Sequence, residues 1–557
     1  MLLMRKLLLA IALCGFARAQ SPIYDQFFDQ CYFRYQPTAG TSAGFHQYDT
    51  ELEDFSTSTR AARIRSLEHF EQQFSRLPDT IDRDLVLGTI RSELLDLNNI
   101  RGWEKNPDEY SGLATNAIYV LISRNFAPPA ERMKSVIARE KKIPAMLAEA
   151  RTNLRNPPRV YTEVALEQLP GIENFFRSDV PKALAAVPQG ALRGEFTASN
   201  QAVIDALVAY EKYLKTGVLP ASTGDFRIGS DNFRKKLLYD EMVDTPLPKL
   251  LKIGYANLRE IQRAMTVAAA KIDPHRDASA ILQDLLKDHP SPNDLLSSVA
   301  ATLGGLRSFI EQHHIVTVPS PVMPKVENTP PFMRALTTAS MDTPGPYERV
   351  ATEAYFNVTP PEPDWPKERI EEHMESFSRA QLSNLAAHEA FPGHYVQFLW
   401  APMAPSKTRR LLGAGTNAEG WAHYCEQMML DEGYGNGDPK LRLAQIDDAL
   451  LRNARYIVGI EMHTGHMSFD QGVQFFMREA HTTKELALVE TKRGTSDPTY
   501  LMYTLGKLEI LKLRAGYKAQ KGAAFKLEDF HNAFLKQGFP PIPLVRRALL
   551  GDDSPAL

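Results

Sequence analysis

Residues 382–394 read LSNLAAHEAFPGH, and residues 416–430 read TNAEGWAHYCEQMML. In the first stretch Leu382, Leu385 and Ala386 fall on one side of a helix that delivers His388 and Glu389 together at its end. In the second, Glu419, His423 and Glu426 stand at i, i+4 and i+7. They form a polar stripe on a helix that otherwise carries Trp421, Tyr424, Cys425 and Met428 to Leu430. Thr416 or Asn417 is the expected cap of this helix. Two helices with inward-facing histidines and carboxylates predict a mainly α fold with its chemistry between helices.

The histidines sharpen the expectation. Of fourteen in the chain, six lie between positions 388 and 481 (His388, His394, His423, His463, His466, His481), which places the site in the C-terminal third. Zinc takes imidazole and carboxylate ligands, and a catalytic zinc usually has three protein ligands with water in the fourth position. In His-Glu-x-x-His helices the second histidine follows at i+4, so both imidazoles face one ion while the glutamate reaches its water. Here His394 follows His388 at i+6, about 240° further round an ideal helix. A regular helix cannot aim both at one ion. Pro392, which removes a helical hydrogen bond, and Gly393, which tolerates unusual dihedrals, predict a bulged or broken turn that returns His394 to the metal.

Downstream, Tyr500, Tyr503, Lys507 and Arg514 fall at helical spacing. Such a face either holds a phenol and cations over a cavity, to bind substrate, or is a surface helix with solvated bases.

Most of the remaining chain has helical periodicity. Ala202, Val203, Ala206, Val208 and Tyr210 lead to Leu214, and a stop follows at Gly217 to Pro220. Strands are expected only at Ile315 to Val318 and Val350 to Val358, around the proline-rich tract 319–331. The edge of the second is a candidate to pair with an extended substrate; simple core support is the alternative. No linker or internal repeat divides the sequence. One large two-lobed unit is expected, with an N-terminal helical lobe over 20–330 and a C-terminal lobe over 331–557.

The first residues, MLLMRKLLLAIALCGFARAQ, read as an export signal, residues 1–19, cut before Gln20. Their apolar stretch, Leu7 to Phe16, is well short of the roughly 20 residues of a spanning helix, so no stable membrane insertion is expected. Lipidation at Cys14 is opposed by Leu13, where a small residue is wanted. The protein is expected in the periplasm or secreted. Losing Arg5, Lys6 and Arg18 with the signal takes the net charge from −3 to −6, which excludes a nucleic-acid partner. Cys31 and Cys425 remain and are expected as unpaired thiols, because a chain this large needs no staple.

Four ordered motifs carry a resemblance: HEAFPGH at 388–394, EGWAHYCEQM at 419–428, GIEMHTGHMSFDQ at 459–471 and YLMYTLGKLEILKLR at 500–514. Together with residues 122–171 and the text YFNVTPP at 355–361, they resemble the bacterial family called domain of unknown function 885. That family is distantly similar to the helical zinc peptidases that include angiotensin-converting enzyme and thimet oligopeptidase, whose two lobes enclose a deep channel.

The resemblance implies a small β-sheet within a large helical fold. It implies His388, His394 and Glu419 as Zn2+ ligands, Glu389 as general base, and Tyr503 or His463 as stabilisers of the tetrahedral intermediate, acting on a peptide substrate. Tyr500, Lys507 and Arg514 would bind that substrate. His423 and Glu426 would stand behind the ligands, Glu426 orienting a histidine or replacing Glu419 if the helix phase differs. The i+6 spacing departs from those peptidases. A zinc amidase or esterase on a small substrate would use the same groups, and a non-catalytic exported binding protein is the reading from another class. Retention of Glu389 beside His388 argues against the last, since structural zinc needs no base.

Overall fold

An apolar stripe explains why residues 191–213 are a helix and which side it buries. Val203, Leu207, Tyr210 and Leu214 recur at three and four residues and are buried, while Ala202 and Val208 face solvent. The expected face was therefore out of phase at Ala202 and Val208. The helix does not stop at Tyr213 but runs into a wider turn, Leu214–Val218.

The computed structural model describes residues 22–330, 334, 338–555 and 557, so the expected export signal lies outside the described residues. It is mainly helical, with a small three-stranded sheet. Helices between Asp108 and Tyr213 close around Tyr110, Met133, Leu147, Phe175 and Leu207. A smaller aromatic cluster, with Phe27, Phe28, Phe70 and Phe74, holds the first helices and also takes in Leu412 and Leu544.

Helix α1 (Leu247–Ile272) packs along α6 (Pro439–His463), and α2 (Leu295–Gln312) packs against α3 (Arg379–Glu389). Residues 233–310 thus share cores with residues 339–545. The division expected at 330 falls inside these shared cores, because helices on both sides of it bury their stripes against each other. Cys31 and Cys425 are both free and buried, in different clusters.

The sheet has the order β1–β3–β2, with β1 (Lys325–Asn328) parallel and β2 (Ala339–Asp342) antiparallel to β3 (Tyr355–Val358). Two expectations are corrected here. Ile315 to Val318 is not a strand: Ile315 N–H closes onto the Ile310 carbonyl, and side chains on helices take the rest, His531 on the Ile315 carbonyl, and Asn532 and Trp400 on Thr317. Only Tyr355–Val358 of the second segment is a strand. Before it, the Glu348 carboxylate gathers the N–H groups of Arg349, Val350 and Ala351 into a turn.

Because β3 lies between the other two strands, it has no free edge for a substrate. The outer strands are β1 and β2. Thr359 N–H donates to the Thr338 carbonyl, which fixes the alternation so that the backbone groups of Ala339 and Met341 point away from β3.

Candidate metal centre

Helix α3 is capped by the Ser378 hydroxyl, which accepts from Gln381 N–H, and it ends at Glu389. The chain then turns back over four residues, with a cis Phe391–Pro392 bond, and restarts as α4 (His394–Trp400). Gly393 N–H donates to the Ala387 carbonyl over 3.0 Å, and the Trp421 indole donates to the Pro392 carbonyl over 2.9 Å. A Cβ on Gly393 would collide with the His388 carbonyl oxygen and lie 2.5 Å from that of Ala387, so only glycine lets the turn close this tightly.

The turn changes the geometry of the i+6 pair. The rings of His388 and His394 stand 4.9 Å apart and nearly perpendicular. Both present Nε2 to the same Glu419 oxygen, each at 3.5 Å, and one ligand atom from each of the three residues lies within 4.8 Å of the others.

Glu419 comes from α5 (Gly415–Asp431). The expected cap at Thr416 or Asn417 is absent. Instead the buried Glu241 carboxylate accepts from the N–H groups of Gly415 and Thr416 and from the Thr416 hydroxyl, while Asn417 donates to the Pro540 carbonyl. Burial raises Glu241 to about 7, against the pull of these hydrogen bonds. Helix α5 touches α8 (Met502–Lys521) backbone to backbone: a Cβ on Gly420 would lie 2.5 Å from the Gly506 Cα. This close approach brings Tyr503 beside His388, their rings 6.4 Å apart.

Behind the cluster, His388 Nδ1 lies 2.6 Å from Glu426 Oε1, and the other Glu426 oxygen is 3.0 Å from His423 Nδ1. Arg452, from α6, approaches Glu426 Oε1 at 3.0 Å. With a carboxylate accepting at Nδ1, His388 in its neutral form carries its lone pair on Nε2, the nitrogen that faces Glu419. Burial opposes charge on Glu426, but Arg452 and His423 outweigh it and hold the carboxyl well below the usual range. Burial likewise opposes charge on Glu419, and its histidine partners hold it well below that range. Burial would lower His388, yet Glu419 and Glu426 raise it to about 9. The space between the two carboxylates therefore attracts positive charge.

Two imidazole nitrogens and a carboxylate on one point are a donor set that fits zinc. His394 Nδ1 is buried without a hydrogen-bond partner. Glu389, the last residue of α3, points elsewhere: its Oε2 accepts from Met341 N–H of β2 over 3.2 Å.

The Tyr503 oxygen accepts from Arg493 Nη2 at 3.1 Å, and Arg452, Arg455 and Arg493 all lie within 6 Å of its ring centre. Arg455 is forked onto Glu490 by two 2.7 Å bonds, from α7 (Lys484–Ser496).

Three expected site residues are placed elsewhere, and a fourth, Lys507, lies behind the cluster. His463 is buried against Phe226 and Phe233 with Nε2 on the Gly494 carbonyl, and burial pushes it down to about 4. No contact of His463 among the described residues reaches the cluster. Tyr500 precedes α8 and is buried against Gly459 and Gly494. Arg514 lies three turns beyond Tyr503, about 16 Å along the axis, and binds Glu432 and the Tyr424 hydroxyl. Lys507 is buried near Glu426 and Arg452, and burial lowers it to about 8.

Sequence reasoning missed Arg452, Arg493 and the Met341 N–H. Arg452 and Arg455 carry a readable signal, two guanidiniums one turn apart on α6; Arg493 carries none.

Two cavities lie near these elements. One, of about 440 Å³, is lined by Trp103, Tyr161, Phe226 and Pro498. The other, of about 780 Å³, reaches Glu419.

A family model described as "Bacterial protein of unknown function (DUF885)" matches residues 37–549. Among solved structures, a "putative lipoprotein of unknown function from Shewanella oneidensis" is 28% identical, with 95% of this chain and 99% of that one covered and a TM-score of 0.79. The "putative lipoprotein from Colwellia psychrerythraea" is 17% identical over 95% and 97%, also with a TM-score of 0.79, a likeness of fold alone. No curated protein matches the chain.

Proposed function

The chain belongs to the bacterial DUF885 family, and from its histidine–glutamate cluster we propose that it is a zinc-dependent peptidase. The observation that carries this reading is the convergence of His388 Nε2, His394 Nε2 and Glu419 Oε2, with the Glu389 carboxylate one residue from His388 and outside the set.

Zinc held by His388, His394 and Glu419 would supply Lewis acidity, polarising a carbonyl and acidifying water. Glu389 would take a proton from water and return it to the leaving amine. Glu426, braced by Arg452 and His423, orients His388. Tyr503 would donate its O–H to the negative charge that develops on the carbonyl oxygen. Arg493 already donates to the phenol, so the phenol's own proton stays available.

A peptide is favoured over a small ester by the size of the cavity that reaches Glu419, about 780 Å³. The lipoprotein description of the Shewanella oneidensis relative supports a place outside the cytoplasm or in the envelope. No helix among the described residues is long and apolar enough to cross a membrane.

The test is metal analysis of the purified protein together with digestion of a peptide library read by mass spectrometry. About one zinc per chain, and cleavage abolished by a chelator and restored by zinc, are expected. Full cleavage by verified metal-free protein rejects the proposal.

A further inference from the structure

The 780 Å³ cavity at Glu419 has a lining that the chemistry above does not use. Its apolar wall includes Val322, Tyr395, Phe398, Leu412, Met502 and Phe539. Two of these are exposed although large and apolar, Val322 at 61% and Phe398 at 37%. Exposed apolar side chains gathered in a concave site mark a ligand surface.

The wall starts at the cluster itself. Phe398 follows His394 by one helical turn, their rings 6.3 Å apart, and Phe539 lies 5.5 Å beyond Phe398. Thr343 to Pro346, the residues that directly follow β2, also line it, so the lining reaches from the end of β2 to Glu419.

The charged residues of the lining are held in place by their own neighbours. Glu348 is engaged by His46 and three backbone N–H groups, and Arg349 donates to the carbonyls of Pro346 and Glu348. Arg410 donates to the Ala404 carbonyl and faces the Tyr347 ring, and Glu353 lies 3.9 Å from Lys325.

We propose that this cavity is the specificity pocket of the enzyme and takes a bulky apolar side chain, aromatic or leucine-like, from a residue flanking the bond to be cut. The assignment rests on the peptidase reading for its meaning but not for its test.

Two measurements decide it. In the first, calorimetry compares binding of Ala-Ala-Phe-Ala and Ala-Ala-Gly-Ala to zinc-loaded Glu389→Gln protein. The phenylalanine peptide is expected to bind tenfold to about a hundredfold more tightly, and Val322→Trp, which fills the cavity from an exposed position, should remove most of that difference. In the second, the wild-type protein digests the peptide library, with cuts expected beside Phe, Leu, Met, Tyr or Trp always on the same side. Val322→Trp should shift the cuts toward Gly and Ala.

Equal binding of the two peptides, or a difference untouched by Val322→Trp, overturns the pocket. Cleavage beside charged or small residues overturns it while leaving the peptidase standing. Preferential binding of the phenylalanine peptide with no hydrolysis by zinc-loaded wild type does the reverse: the pocket stands and the peptidase falls.

Discussion

His388 Nδ1 lies 2.6 Å from Glu426 Oε1, while Nε2 of the same ring faces Glu419. The two carboxylates of one helix thus act on opposite nitrogens of one imidazole. Glu419→Gln is expected to abolish stoichiometric zinc binding, whereas Glu426→Gln should keep zinc with affinity lower by about 10-fold to 100-fold. Metal content after dialysis against a zinc buffer reads both. The reverse ranking would make Glu426 the ligand.

Glu389 is outside the donor set, with its carboxylate on Met341 N–H. Glu389→Gln should therefore retain zinc and slow turnover by about 10²-fold to 10⁴-fold. Near-normal turnover in zinc-loaded protein would assign the base to another group.

Tyr503 receives a hydrogen bond from Arg493 and lies beside His388. Tyr503→Phe is expected to lower kcat by about 10² to 10³ with little change in KM or zinc content, because the lost bond matters mainly in the transition state. Steady-state kinetics on one fixed peptide separates this from a binding role, which would raise KM alone.

Gly393→Ala should be costly out of proportion to one methyl group, since the added Cβ meets the carbonyl oxygens of Ala387 and His388. A loss of about 1–3 kcal/mol in stability is expected from denaturant unfolding, together with weaker zinc binding as His394 moves. Unchanged zinc affinity would mean that the turn does not set the ligand geometry.

Glu419 and Glu426 raise His388 to about 9 in the metal-free protein, against the effect of burial. Because the folded value lies above the ordinary one, the ring is protonated at neutral pH, and zinc must displace that proton. Zinc uptake at pH 7 should release about one proton from His388, falling toward none as the pH rises through 9. A pH indicator in weak buffer measures it; release that does not decline above pH 9 would contradict the raised value.

The sequence by itself carried the helical class, because stripes such as Val203, Leu207 and Tyr210 repeat at the period of a helix. It also singled out His388, His394 and Glu419, through motifs that resemble those of a family distantly similar to zinc peptidases. It could not show that the i+6 pair converges. That depends on a glycine seated against two carbonyl oxygens and on an indole from another helix holding Pro392, neither of which is local in sequence. Spacing alone could not rank Tyr503 above Tyr500 or His463 either. All three are aromatic or imidazole groups near helix ends, and only the Gly420–Gly506 crossing turns Tyr503 toward His388. The strands were misread because a short β-branched run looks alike whether its backbone pairs with a strand or with helix side chains. Periodicity is a property of one segment and is written in its residues; convergence is a property of several segments, and only their packing decides it.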